Sequence, residues 1–414
     1  MHMPMIPRKQ KGETVGEAYI AGVAMTDIGW HTRDPHDMGA QVCAEALRDA
    51  GLTPAQVGGL ISTPHGYMTG TRKMITQRMA DYLGIECGIM LDIDSGGNSS
   101  SVAVHIARDR IREGGIDSCL VFAAQREVPP KEIRGDILGH FHLIKDANSL
   151  YDSYQAAYGV ISPLPLYAMA VQRYMHRHGI APEDIARVAV ILREHALKHP
   201  QAAYKEPLTV EGVLASKVLT PPVHRQESSE MHDGAAAVLL VSGELARGSD
   251  RAVRLAGMRE AHDATSFIPY RGEISRFPCV ERAARGALEE SGYEIADVDV
   301  AEVYGAFAGM EPMMYEELGF FAPGEAPAAV REGRTTHGGE VLLNPSGGRL
   351  SLGHPAYVTP LLEFVEIARQ LRGEAGERQR PGAEVGLVHT EQGFINGSIV
   401  AILDRRGGKA AGAG

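Results

Sequence analysis

The chain repeats its own pattern, and this constrains the fold more than any single motif does. An amphipathic run over residues 37–50 stops at Gly51 and passes through Thr53-Pro54-Ala55-Gln56-Val57 into an apolar stretch at 59–62. The same order returns later: a helical run over 279–291 stops at Gly292, and Ile295-Ala296-Asp297-Val298-Asp299 leads into Val300-Ala301-Glu302-Val303-Tyr304. Apolar residues at helical spacing, a glycine stop and then a short β-rich run predict helix followed by strand in both places. The parallel continues. Asp94-Ser95-Gly96-Gly97-Asn98-Ser99-Ser100-Ser101 opens a helix predicted over 102–113, and a glycine-rich stretch from Asn344 to His354 opens another over 357–371. Strands are predicted after these helices at 118–123 and 384–389, and each half ends on a strand, at 235–242 and 398–403. Strands alternating with helices imply α/β layers, and a duplicated unit implies two packed sheets whose glycine-rich helix starts face each other. Helix termini from both halves can then converge on one ligand.

A chain of 414 residues is too long for one ordinary core, in agreement with two fused halves. They are predicted over 15–245 and 250–405. The first half carries an insertion at 126–222 with helical stretches at 166–178 and 185–199, long enough to be a lid or a substrate-binding subdomain. A formal net charge of -11 argues against a nucleic-acid surface. No apolar run reaches the length of a membrane span, and residues 1–13 lack the apolar centre of a signal peptide, so a cytoplasmic location is expected. Cys43, Cys87, Cys119 and Cys279 are scattered without metal-ligand spacing and read as small hydrophobes or free thiols.

The stretch Asn344-Pro345-Ser346-Gly347-Gly348-Arg349-Leu350-Ser351-Leu352-Gly353-His354-Pro355 brings one histidine to a helix start. Free N–H groups there can hold an oxyanion or a thioester oxygen. Its order, Asn-Pro-x-Gly-Gly to Gly-His-Pro, resembles the C-terminal catalytic loop of the thiolase superfamily, whose histidine lies in the oxyanion hole. The nearest branch is similar to the sterol-carrier-protein-x or lipid-transfer thiolase-like proteins. Supporting stretches are Tyr158-Gly159, Tyr167 to His176, Asp233-Gly234-Ala235-Ala236-Ala237-Val238 and Glu317-Leu318-Gly319-Phe320. The resemblance implies a duplicated five-layer α-β-α-β-α fold. It also implies that the insertion is the loop domain covering coenzyme A.

The resemblance implies two cysteines that the chain does not have. The nucleophile position aligns with Gly97, with no cysteine nearby. Ser95, Ser99 or Ser100 could substitute, or could simply cap the helix, and a serine is a poor nucleophile without an adjacent base. The acid/base thiol is absent from both family positions, which read His389-Thr390-Glu391-Gln392-Gly393 and Tyr304-Gly305-Ala306-Phe307. The candidate catalytic residues are therefore Tyr304, His354 and His389. His354 is suited to donate to a thioester oxygen or to exchange a proton near neutrality. Tyr304 resembles the tyrosine of thiolase-like steroid aldolases, although Gly305-Ala306 replaces their Asp-His and His354 stands where they have tyrosine. A phenol acts as a base only with help from positive neighbours; packing beneath a loop is the competing role for Tyr304. His389 is either catalytic or satisfied by backbone, and Glu391 is the alternative occupant of the missing thiol's place. His140 and His142 read as a loop-surface pair, His176 and His178 as an exposed helix end, and Asp233 as structural.

These readings point to an enzyme cleaving a C–C bond next to a CoA thioester by retro-aldol chemistry on a steroid or other bulky side chain. Coenzyme A is then part of the substrate, and no covalently bound cofactor is required. A Claisen-type thiolase or acyltransferase working with a partner subunit, and a non-catalytic acyl-CoA-binding subunit, are the alternatives. The resemblance further implies a homodimer and a small OB-fold, zinc-ribbon partner of the DUF35 type. The dimer face is expected around 91–93 and 118–123, as a sheet edge needing cover.

Overall fold

The computed structural model describes residues 16–65, 74–126, 160, 163–263, 273–393 and 396–405. The first half runs β1 (Ala18–Met25), α1 (Pro35–Ala50), β2 (Gly59–Ser62), α2 (Ile75–Leu83), β3 (Ile89–Asp92), α3 (Ser99–Arg112) and β4 (Ser118–Gln125). The described part of the insertion holds α4 (Leu164–His178), α5 (Pro182–Leu197), α6 (Val210–Ala215), β5 (Val218–Thr220) and β6 (Val223–His224). The half closes with β7 (Gly234–Ser242) and the short α7 (Gly243–Ala246). The second half runs β8 (Val253–His262), α8 (Pro278–Ser291), β9 (Val300–Val303), α9 (Met310–Glu317), α10 (Ala326–Arg331), β10 (Leu342–Leu343), α11 (Gly348–Ser351), α12 (Thr359–Arg372), β11 (Val385–Glu391) and β12 (Gly397–Asp404).

The predicted duplication is present strand for strand. The order β3-β2-β4-β7-β1 in the first half is matched by β10-β9-β11-β12-β8 in the second. In each half three strands are parallel (β3, β2, β4; β10, β9, β11) and the last two pair antiparallel. Even the packing exceptions repeat. A Cβ on Gly22 of β1 would meet the Ala46 carbonyl of α1, and a Cβ on Gly257 of β8 would meet the Ala287 carbonyl of α8, so glycine lets strand and helix backbones touch in both halves. The two sheets are not separate, as the sequence pattern had implied. Tyr19 and Ile20 pair with Arg254 and Val253, which joins them into one ten-stranded ladder through β1 and β8.

Alternation along the strands sorts the core into layers. Leu120 and Phe122 of β4 and Ala237 and Leu239 of β7 face α1 and α2 on one outer side. Val121, Val238 and Leu240 face inward onto α3 and α12, together with Ile399, Ala401 and Leu403 of β12. Val400 and Ile402 face the other way, onto α8 and the insertion helices α4 and α5. Helix α12 is buried nearly all round, which is what a helix between two sheets requires. This is the five-layer α-β-α-β-α arrangement. Of the two stretches expected at a sheet edge, residues 91–93 overlap β3, which with β10 ends the ladder, whereas β4 lies between β2 and β7 and is buried along its length. Among the described residues no helix is long and apolar enough to cross a membrane. His140 and His142 lie outside the described residues.

Candidate active site

Asn344 places the glycine-rich loop against the end of β9. It adopts a left-handed φ of 50°, a conformation asparagine tolerates better than most residues. Its Oδ1 accepts from Val303 N at 2.6 Å and its Nδ2 donates to Glu311 at 2.8 Å. Its carbonyl is 3.0 Å from Nδ1 of His195. The backbone immediately before Tyr304 is thereby tied to the loop that carries His354. Tyr304 N in turn donates to the His389 carbonyl on β11 at 3.1 Å.

Tyr304 and His354 meet edge to face, with ring centroids 6.2 Å apart. His354 is buried, and burial, with Arg349 and His232 adding, holds its pKa well below the ordinary histidine value. It is neutral at physiological pH. Its Nδ1 lies 3.2 Å from Thr359 Oγ1 and 3.4 Å from Arg349 Nη1. Arg349 can only donate, so its contact selects the tautomer in which Nδ1 accepts and Nε2 carries the proton, while the Thr359 hydroxyl, which donates to the Pro355 carbonyl at 2.9 Å, would suit the other. The Nε2–H tautomer is one that can donate to an oxygen without carrying charge.

Arg349 is the residue that sequence reasoning passed over. Helix α11 buries it completely, with its guanidinium over the Tyr304 ring and Nη2 3.2 Å from Glu363 of α12. Its Nε and Glu363 Oε2 are buried without hydrogen-bond partners. Burial pushes Glu363 up to about 8 even against the arginine's pull. The available signal was a charged residue between Gly348 and Leu350, at a place in the loop where the flanking residues are buried.

The structure separates His389 from Glu391. The His389 ring is fully buried with neither nitrogen partnered; burial, then Arg349, holds it down to about 3, so it is neutral. Glu391, two residues along the same strand, lines a small cavity with Tyr304, Tyr167, Cys279, Val280, Ala306, Met310, Met314 and Gly397. It accepts from Tyr167 Oη at 2.7 Å and from Gly393 N at 2.9 Å. Cys279 is the one cysteine lining this cavity; burial raises its pKa, with nearby Asp263 adding, so it is a thiol rather than a thiolate.

The nucleophile position is closed. The strand end at Glu391 and Gln392 rests on the loop before α3, where Gly97 N donates to the Gln392 carbonyl at 3.0 Å. A Cβ on Gly97 would sit 2.8 Å from the Glu391 carbonyl oxygen. The serines beside it are occupied: Ser99 Oγ accepts from Ser95 N and donates to the Gly96 carbonyl, Ser100 Oγ donates to the Tyr357 carbonyl, and Ser101 Oγ accepts from Thr390. Glu311 occupies the space left by the missing side chain of Gly305, where a Cβ would come 2.4 Å from its carboxyl carbon. Asp233 accepts from His31 N at 3.0 Å and bridges Gly29, holding a turn. His178 borders a separate surface pocket. Among the described residues no group of three or more His, Cys, Asp or Glu is placed to hold a metal ion.

Comparison with known proteins supports this architecture. A family profile described as thiolase C-terminal domain-like matches residues 259–405. The solved Ltp2-ChsH2(DUF35) aldolase superposes with a TM-score of 0.80 at 26% identity, covering 95% of this chain and 98% of its own. Acetyl-CoA acetyltransferase of Methanothermobacter thermautotrophicus is 29% identical over 93% of this chain and 99% of its own length. Sterol carrier protein 2 of Bos taurus is 27% identical over 94% of this chain and 72% of its own. These matches are to proteins of the thiolase superfamily, the sterol-carrier-protein-x-like branch among them. Also similar is the 17-hydroxy-3-oxo-4-pregnene-20-carboxyl-CoA lyase of Mycobacterium tuberculosis, 28% identical over 86% of this chain and 92% of its own. The chain combines a Gly-His-Pro loop with a glycine at residue 97, in the turn before α3, and a tyrosine after β9.

Proposed function

We propose that this protein cleaves a β-hydroxyacyl-CoA by retro-aldol chemistry. The observation that carries the reading is the closed position at Gly97. With no room for a side chain there, and with the Ser99, Ser100 and Ser101 hydroxyls held in hydrogen bonds, the position where the family carries its covalent acceptor offers none, whereas a retro-aldol step needs none. Tyr304, as its phenolate, takes the proton of the substrate's β-hydroxyl. The Cα–Cβ bond breaks, the β-carbon leaves as a ketone or aldehyde, and the bonding pair moves to the thioester oxygen as an enolate. His354 donates Nε2–H to that oxygen. Tyr304 returns its proton to Cα, giving a shortened acyl-CoA and regenerating the phenolate, so no proton or electron is left over. The lyase relative and the aldolase neighbour both favour this class, and the steroid thioester in the lyase's name favours a bulky acyl group. The neighbour's pairing with a DUF35 protein favours a DUF35-type partner here too.

The test is to incubate the protein, alone and with a DUF35 partner, with a β-hydroxyacyl-CoA and separately with a β-ketoacyl-CoA plus free CoA. Ketone or aldehyde release from the first is the expected result. Thiolysis of the second, with an acyl adduct on the protein by mass spectrometry, would overturn the reading and restore acyl transfer. Because Cys279 lines the same cavity as Tyr304, Cys279→Ala separates the two directly: lyase activity should largely survive it, and an acyltransferase using that thiol would not.

A further inference from the structure

We propose that Arg349 is the positioning residue that makes the Tyr304 phenol usable as a base, by holding a buried positive charge over the face of its ring. This rests on the reading of Tyr304 as the acid/base group above. The geometry is specific: the guanidinium lies over the face of the Tyr304 ring, Arg349 is 1% exposed, and the same side chain reaches His354 and Glu363. A positive charge against a phenol favours phenolate, and water that would weaken the effect is excluded.

The surrounding groups leave that charge largely uncompensated. Glu363 on α12 is the nearest counter-ion, and burial keeps it mostly protonated at neutral pH. His354, on the loop after α11, and His389 on β11 are both held neutral by burial. Glu311 on α9, packed against Gly305, is held protonated by burial, and Cys279 on α8 stays a neutral thiol. Tyr167 on α4 bonds Glu391 on β11, which lines the Tyr304 cavity and, as a carboxylate, opposes phenolate formation. The buried arginine therefore finds its best remaining counter-charge in the phenolate of Tyr304.

The experiment reads Tyr304 itself. The chain has 14 tyrosines, so the signal is the ultraviolet phenolate titration of the parental protein minus that of Tyr304→Phe, compared with Arg349→Met minus Arg349→Met/Tyr304→Phe. Removing the charge should move the Tyr304 titration up by about 1–3 pH units, the range for loss of an adjacent opposite charge. The ascending limb of kcat/KM should follow by the same amount, with circular dichroism unchanged. If Arg349→Met does not fold, Arg349→Lys carries the comparison: its ammonium is compact and hydrated and cannot cover the ring, so a smaller upward shift is expected. An unmoved Tyr304 titration in a folded variant overturns the proposal. If the titration shifts but no β-hydroxyacyl-CoA is cleaved, the Arg349–Tyr304 coupling stands and the retro-aldol reading falls.

Discussion

Tyr304→Phe and His354→Ala should each lower turnover about a hundredfold or more, the usual scale for a lost acid/base group or oxyanion donor, with the fold intact. Steady-state rates on a cleaved β-hydroxyacyl-CoA check this, and near-normal turnover in either variant would remove that residue from the mechanism. Asn344→Ala should instead cost stability, about 2–4 kcal/mol, because it orphans the buried Val303 N–H and takes a donor from Glu311. Chemical denaturation gives the value, and a loss below the measurement error would mean that the loop is held elsewhere. Glu363 gives a pH signature. Its pKa rises from 4.5 to about 8 on folding, so the native state keeps a proton that the unfolded chain has released. The stability this provides is fully present below about 4.5 and is lost toward 8, at ~1.4 kcal/mol per pH unit. The stability of the parental protein relative to Glu363→Gln should therefore fall across that window, and parallel pH profiles would contradict the assignment. Tyr304 and His354 were legible because each sits at a fixed offset within a recognisable run. Arg349 and Glu363 were not. Their importance comes from burial and from partners on other elements, which one-dimensional spacing does not report.

At the scale of elements, the proposed chemistry rests on the contact between the end of β11 and the loop before α3. Gly97→Cys places a thiol at the position where the superfamily keeps its nucleophile, but its Cβ would press on the Glu391 carbonyl. We expect a destabilised protein that forms no acyl adduct with acyl-CoA, read by thermal denaturation and intact mass. A stable, acylated variant would show that the closure yields easily. The absent cysteine was visible in the sequence, and the filled space was not, because residues 97 and 391 are neighbours only across the two halves. The helix boundaries were legible to within a few residues, since glycine stops mark them: Gly51 and Gly292 both end their helices in left-handed conformations.

Across the whole molecule, the duplicated order of strands was readable from helix-stop-strand repeats, whereas β1 and β8 carry no such punctuation and the sheet junction they form went unseen. Their pairing at Tyr19–Arg254 and Ile20–Val253 joins the two sheets. The exposed edge is β3, half-buried and unpaired on its outer side among the described residues. We propose that a second copy covers it; sedimentation at micromolar concentration should give twice the mass of the chain, and a monomer would count against the proposal. The seating of Gln392 on Gly97 also bears on redesign. A side chain added at residue 97 meets backbone from the other half of the molecule, so one substitution there cannot install a working nucleophile. The loop after β11 would have to be rebuilt first, which couples any new chemistry at α3 to the far sheet.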